Sequence, residues 1–185
     1  MKYVIVGIGG QGILFTSKVL GKIAIEKGLP VIGNEVHGMA QRGGSVISHF
    51  KVGDYRGPLV TEGRADVLMA FDQSEGIRNL GFLREGGTFL VNVGDPCALE
   101  NARLKKFLTS GKIRACPFLG YEILDRHMGG NYLFLNVLIL GTASGMKVEG
   151  FEKERVVAAI KELAPPKHLE ANLKVFELGM KVTNP

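Results

Sequence analysis

The stretch that decides the fold is "KYVIVGIGGQGILFTSKVLGKIAIEKGLPVIGNEV", Lys2–Val36. Its first part is a β-branched run that stops at glycines, which reads as a buried strand and a sharp turn. In the next part Ile13, Val19, Leu20, Ile23 and Ala24 fall near helical spacing, and Gly28 is a natural C-terminal stop. "LPVIGNEV" then reads as a second strand. A strand–helix–strand opening predicts a right-handed crossover with the two strands parallel and adjacent.

Further along, "SVISHFKVG" alternates, with Val46, Ser48, Phe50 and Val52 on one face and Ile47, His49 and Lys51 on the other. His49 on such a face is expected at the surface or an interface. "ADVLMAF", "GTFLVNV" and "KIRACPF" read as further strands, and "DQSEGIRNL" as a short helix started by Asp72 or Ser74. "PCALENARLKKFLTSG" carries a helix expected to start at Pro96 and end at Gly111. "NYLFLNVLILGTASG" is apolar on nearly every face and predicts a buried helix, in which Asn136 must be hydrogen-bonded. Two amphipathic helices follow, separated by Pro165 and Pro166. The expected architecture is one three-layer α/β/α Rossmann-like domain over residues 1–185, with a largely parallel or mixed sheet.

Composition narrows the function. The net charge of +5 is spread over scattered lysines and arginines, with no basic run that would suit nucleic acid. "YLFLNVLILGTA" is too short to span a bilayer, which takes about 20 residues. The N-terminus reads as a first strand, not as a secretion signal. The two cysteines, Cys97 and Cys116, are far apart and form no Cys-x-x-Cys pair, so the chain cannot by itself hold a four-thiolate cluster. Their plain reading is two reduced thiols in a cytoplasmic protein.

Two segments carry candidate chemistry. Gly7, Gly9, Gly10, Gln11 and Gly12 form a Gly-x-Gly-x-x-Gly turn between a predicted strand and a predicted helix. Gly7 and Gly9 allow backbone angles that a Cβ forbids, and Gly12 allows close helix–strand packing. The helix N-terminus offers N–H groups to an anion. Glu35, 23 residues beyond Gly12, stands where a dinucleotide fold places a ribose-binding acid. The alternative is a tight turn whose glycines serve packing alone. After Glu35 come His37, Gly38, Met39, Gln41, Arg42, Gly43 and Gly44. Glycine at that density breaks a helix, so the segment is a shaped loop, and it should face the glycine turn across the carboxyl ends of the strands.

"VGIGGQGILFTSKVLGKIA", "NEVHGMAQRGGSVISHFKVG", "GRADVLMAF" and "PPKHLEANLKVFELG" together resemble the gamma-type subunit of 2-oxoacid:ferredoxin oxidoreductases. The resemblance runs in order from Val6 to Gly179, and its specific parts are the Glu35–Ser45 loop and the Pro165–Gly179 tail. The tail is closer to the indolepyruvate type than to the pyruvate type. The resemblance implies a complex that oxidatively decarboxylates 2-oxoacids with coenzyme A to acyl-CoA, carbon dioxide and reduced ferredoxin. It further implies that thiamine diphosphate, Mg and the [4Fe-4S] clusters belong to a large alpha subunit, and that this chain is inactive alone. Ferredoxin would be the electron acceptor, and the sequence leaves open whether the isolated chain forms a homodimer. Arg42 would pair a substrate carboxylate and His37 would move a proton at the companion's site, or else the two would only shape the loop. The other glycine-loop residues are candidates for contact with coenzyme A, a nucleotide or the partner. The remaining alternatives are a gamma subunit acting on pyruvate or 2-ketoisovalerate, and a self-sufficient nucleotide-binding protein.

Overall fold

A computed structural model describes residues 1–38 and 43–182. Six strands form one sheet: β1 (Lys2–Ile8), β2 (Val31–His37), β3 (Ser45–Val52), β4 (Ala65–Ala70), β5 (Leu83–Asn92) and β6 (Arg114–Phe118), in the order β2-β3-β1-β4-β5-β6. β1, β4, β5 and β6 run parallel, whereas β3 pairs antiparallel with both β1 and β2. The sheet is therefore mixed.

This corrects the expected adjacency of the first two strands. β2 reaches the edge, with β3 inserted between it and β1. The seven residues between His37 and Ser45 account for the antiparallel pairing of β3 with β2. A parallel neighbour needs a crossover of a dozen or more residues, while a short connection returns the chain as an antiparallel partner.

Among the described residues seven helices flank the sheet: α1 (Ile13–Glu26), α2 (Gln73–Arg78), α3 (Ala102–Ser110), α4 (Gly120–Met128), α5 (Leu135–Gly145), α6 (Lys153–Leu163) and α7 (Leu169–Lys181). Strand alternation divides their packing. Tyr3, Ile5, Val67 and Met69 join one buried cluster with α1 and α4 to α7. Val4, Val6, Leu68 and Ala70 join a second, with Leu80 and Leu99, against which Leu104 and Leu108 of α3 pack. The result is the expected three-layer arrangement.

Local chemistry sets the helix starts. Asp72 caps α2, its carboxylate accepting from the N–H groups of Ser74 and Glu75. α3 starts at Ala102 and not at Pro96, because the Asn101 side chain caps it by accepting from Arg103 and Leu104. α5 is buried along nearly its whole length, and α7 crosses it at two glycines. A Cβ on Gly141 would collide with the Phe176 carbonyl, and one on Gly179 with the Leu138 carbonyl, so the two backbones touch. His49 also departs from expectation. It is buried, its Nδ1 accepts from Val60 N–H at 3.3 Å, and its ring lies edge-on to Phe82. Burial lowers its pKa below 6.5, with the Lys51 charge acting in the same direction.

Candidate functional site

β1 ends at Ile8, and the glycine turn that follows is filled by its own side chain. Gln11 folds back so that its Oε1 accepts from Ile8 N–H at 2.7 Å. Its Nε2 donates to the Tyr121 hydroxyl at 2.9 Å and to the Phe71 carbonyl at 3.4 Å. Gln11 thus ties β1 to the end of β4 and to α4. Gly7 is required by space: a Cβ there would meet Gln11 and lie 2.8 Å from Phe71 Cβ. The positive φ angles fall on Gly10 (104°) and Gly12 (87°), not on Gly7 or Gly9. Gly12 packs against α5 rather than against a strand, since a Cβ there would lie 2.6 Å from Asn136 Nδ2. α1 starts without a side-chain cap and without an acid in its first turn, so its N-terminal N–H groups keep their affinity for an anion.

The connection from β2 to β3 lies beside this turn, as expected. Gly9 N–H donates to the Gly44 carbonyl at 2.9 Å, and Gly38 N–H donates to the Ser45 carbonyl at 2.7 Å. Ser45 also donates its hydroxyl to Glu75 at 2.6 Å. Glu75 is buried, and its second oxygen accepts from Arg78 at 2.7 Å. The sequence contained a signal for this residue: Asp72-x-x-Glu75 has the spacing of a capping box. The carboxylate instead turns to the base of the connection, which is a tertiary choice. Gly43 is exposed at a φ of 76°. Met39, Gln41 and Arg42 lie outside the described residues.

Glu35 and His37 part company with the glycine turn. Glu35 is opposite Ser48 on the edge strand, with β3 between it and β1, so the ribose-acid geometry of a dinucleotide fold is absent. It lines an open groove of about 660 Å³ against the outer face of α1, shared with Leu14, Lys18 and Ile25. His37 is exposed at the end of β2. Among the described residues no three His, Cys, Asp or Glu side chains could together hold a metal ion. The two thiols are free: Cys97 is exposed, and burial raises the pKa of the half-buried Cys116 against the opposing Arg114 charge.

The chain thus combines a mixed sheet, a glycine turn filled by Gln11 and a β2–β3 connection anchored beside that turn. Residues 2–182 match pyruvate ferredoxin/flavodoxin oxidoreductase, and the chain belongs to that family. It is 35% identical to the indolepyruvate oxidoreductase subunit IorB of Archaeoglobus fulgidus, covering 97% of this chain and 93% of that one. Its fold is similar to the gamma subunit of a keto/oxoacid ferredoxin oxidoreductase from Geobacter sulfurreducens (TM-score 0.72, 22% identity, 98% and 97% covered). It is also similar to the 2-oxoglutarate:ferredoxin oxidoreductase of Magnetococcus marinus, solved with 2-oxoglutarate, coenzyme A and succinyl-CoA bound (TM-score 0.77, 18% identity). There the match covers 99% of this chain and 31% of the other.

Proposed function

We propose that this chain is the small, non-cluster-binding subunit of an indolepyruvate or arylpyruvate:ferredoxin oxidoreductase. The end-to-end match to the IorB subunit carries the reading. The complex would release carbon dioxide from a 2-oxoacid, transfer the acyl group to coenzyme A and pass the electrons to ferredoxin. Thiamine diphosphate, Mg and the iron–sulfur clusters fall to a large companion. What supports that division is the sequence, whose two thiols, Cys97 and Cys116, are too few for a four-thiolate cluster. Residues 1–185 act as one cytoplasmic unit.

Within the complex, the loop from Gly38 to Gly44 closes on the companion's thiamine centre, with His37 and Arg42 presented to the substrate. Its anchoring at Gly9 and Glu75 supports this role, because a loop that completes another subunit's site must be held at its base. The exposed Gly10 and the uncapped start of α1 suit a phosphate of coenzyme A or a polar group of the companion. A self-sufficient dinucleotide site is less well supported, since Gln11 fills the turn and Glu35 is displaced.

The test is anaerobic co-expression with the large cysteine-rich companion. Indolepyruvate and phenylpyruvate should be oxidised only when both chains are present. Arg42→Ala should lower kcat/KM for these substrates by about 100-fold with assembly intact. Wild-type turnover in that variant removes Arg42 from the chemistry. Failure of the two chains to associate, with a dinucleotide bound to the isolated chain, overturns the whole reading.

A further inference from the structure

The two edges of the sheet are finished differently. β6 is five residues long and carries Pro117, which has no N–H to offer a further strand. β2 is seven residues long, and Val31–His37 contains neither proline nor lysine, the residues that commonly blunt an edge. Among the described residues no strand lies beyond it.

The ladder fixes which of its groups face outward. Gly53 N–H donates to the Pro30 carbonyl and Gly38 N–H to the Ser45 carbonyl, so the even-numbered residues of β2 exchange hydrogen bonds with β3. Val31, Gly33, Glu35 and His37 therefore aim their N–H and C=O groups away from the sheet. Their side-chain positions lie on the α1 face. Gly33 stands opposite Phe50, which packs on Gly21, and Glu35 stands opposite Ser48, which is bonded to Ser17.

A second copy of the same strand fits this edge in one register. Antiparallel pairing about a two-fold axis at Asn34 sets Val31 against His37 and Gly33 against Glu35, and all four outward residues of each copy find partners. A shift of two residues one way leaves His37 unpaired. A shift the other way leaves Val31 unpaired and sets Glu35 against Glu35, like charges face to face. In the symmetric register each Glu35 lies over Gly33 of the other copy, where no side chain competes for space. It enters the groove on the outer face of α1, which Lys18 lines, and among the described residues Lys18 is in no ion pair. Leu14 and Ile25 are exposed along the same groove. On the opposite face Ile32 meets Val36, an apolar β-branched pair.

We propose that the isolated chain forms a two-fold dimer through β2, joining two six-stranded sheets into one. The dimer goes beyond the function proposed above and does not rest on it, because every residue it uses belongs to this chain.

Cross-strand disulfides test the register as well as the contact. In the two-fold pairing Asn34 faces Asn34 as a non-hydrogen-bonded pair, with Cα atoms about 4.5 Å apart, within disulfide reach. Asn34 is exposed, so the variant keeps the core. In full-length chains carrying Cys97→Ser, which removes the exposed thiol, Asn34→Cys should cross-link to itself under mild oxidation and run as a dimer on a non-reducing gel. Ile32→Cys and Val36→Cys should each remain uncross-linked alone and should cross-link when mixed. Sedimentation equilibrium of the wild type should give about twice the 20.0 kDa of the chain, and Glu35→Lys should raise the dimer dissociation constant at least about tenfold. The proposal is overturned if the wild type stays at 20.0 kDa at about 100 µM, including the case in which it associates only with the companion subunit. It is equally overturned if folded Asn34→Cys does not cross-link, if Ile32→Cys alone cross-links as readily as Asn34→Cys, or if Glu35→Lys dimerises as the wild type does.

Discussion

The glycine turn and the loop beside it look alike in sequence and are built in opposite ways. Gly7 to Gly12 closes on itself: Gln11 satisfies Ile8, Tyr121 and Phe71, and Cβ atoms are excluded at Gly7 and Gly12 by their neighbours. At the described ends of the Gly38–Gly44 connection, Gly9 donates to the Gly44 carbonyl, Gly38 donates to the Ser45 carbonyl and Glu75 accepts from the Ser45 hydroxyl. Glycine therefore means two things in one molecule. In the turn it makes room for the protein's own side chains, and at Gly43 it supplies a φ of 76° with open space where a Cβ would stand.

The largest effect expected from breaking this contrast is at Gly12. Gly12→Ala combines a φ of 87° with a clash against Asn136, so it should lose about 2–4 kcal/mol, read from the urea midpoint. Gly43→Ala has a φ of 76° but nothing within 4 Å of its Cβ, and should lose only about 1 kcal/mol. Equal losses would erase the distinction. Next, Glu75→Ala leaves Ser45 and Arg78 without their partner and should lose about 2 kcal/mol, with faster proteolysis of the loop; unchanged cleavage would mean that Glu75 does not anchor it.

A smaller, pH-dependent effect is expected at His49. Its folded pKa lies below the unfolded 6.5, so the unfolded state binds more protons as the pH falls. The stability it supports is complete above pH 6.5 and is lost as the pH falls from there towards the depressed folded value. His49→Asn can still accept from Val60, and its urea midpoint should fall less than that of the wild type between about pH 7.5 and 5.5. Parallel curves would show that His49 does not carry the acid sensitivity. The smallest effect is at Thr16, whose buried hydroxyl is without a partner among the described residues. Thr16→Val should be neutral or stabilising by less than about 1 kcal/mol in the same measurement.

Periodicity located the strands and helices, because a period of two or of 3.6 follows directly from which face is buried. The family was legible too, in the Glu35–Ser45 loop and the Pro165–Gly179 tail. Strand order was not. The short connection from β2 fixes that β3 pairs with it antiparallel, but which side of β2 it takes is decided by packing between distant parts of the chain. His49 was misplaced because alternation shows that a strand has two faces but not that both are covered; Phe82 and Val60 arrive from later in the chain. Glu75 was hidden for the same reason, its partner Ser45 being 30 residues away. For Arg42 the sequence remains the source of the assignment.

The bond between Gln11 and Tyr121 also gives the glycine turn an optical label. The chain contains no tryptophan, so its near-ultraviolet absorbance rests on four tyrosines. Tyr3 is sealed in the core, whereas Tyr121 touches the turn and stacks edge-on with Tyr132 at 4.9 Å. Whatever settles on the turn and disturbs Gln11 will change the surroundings of that phenol pair, and ultraviolet difference absorbance will register it without an added dye.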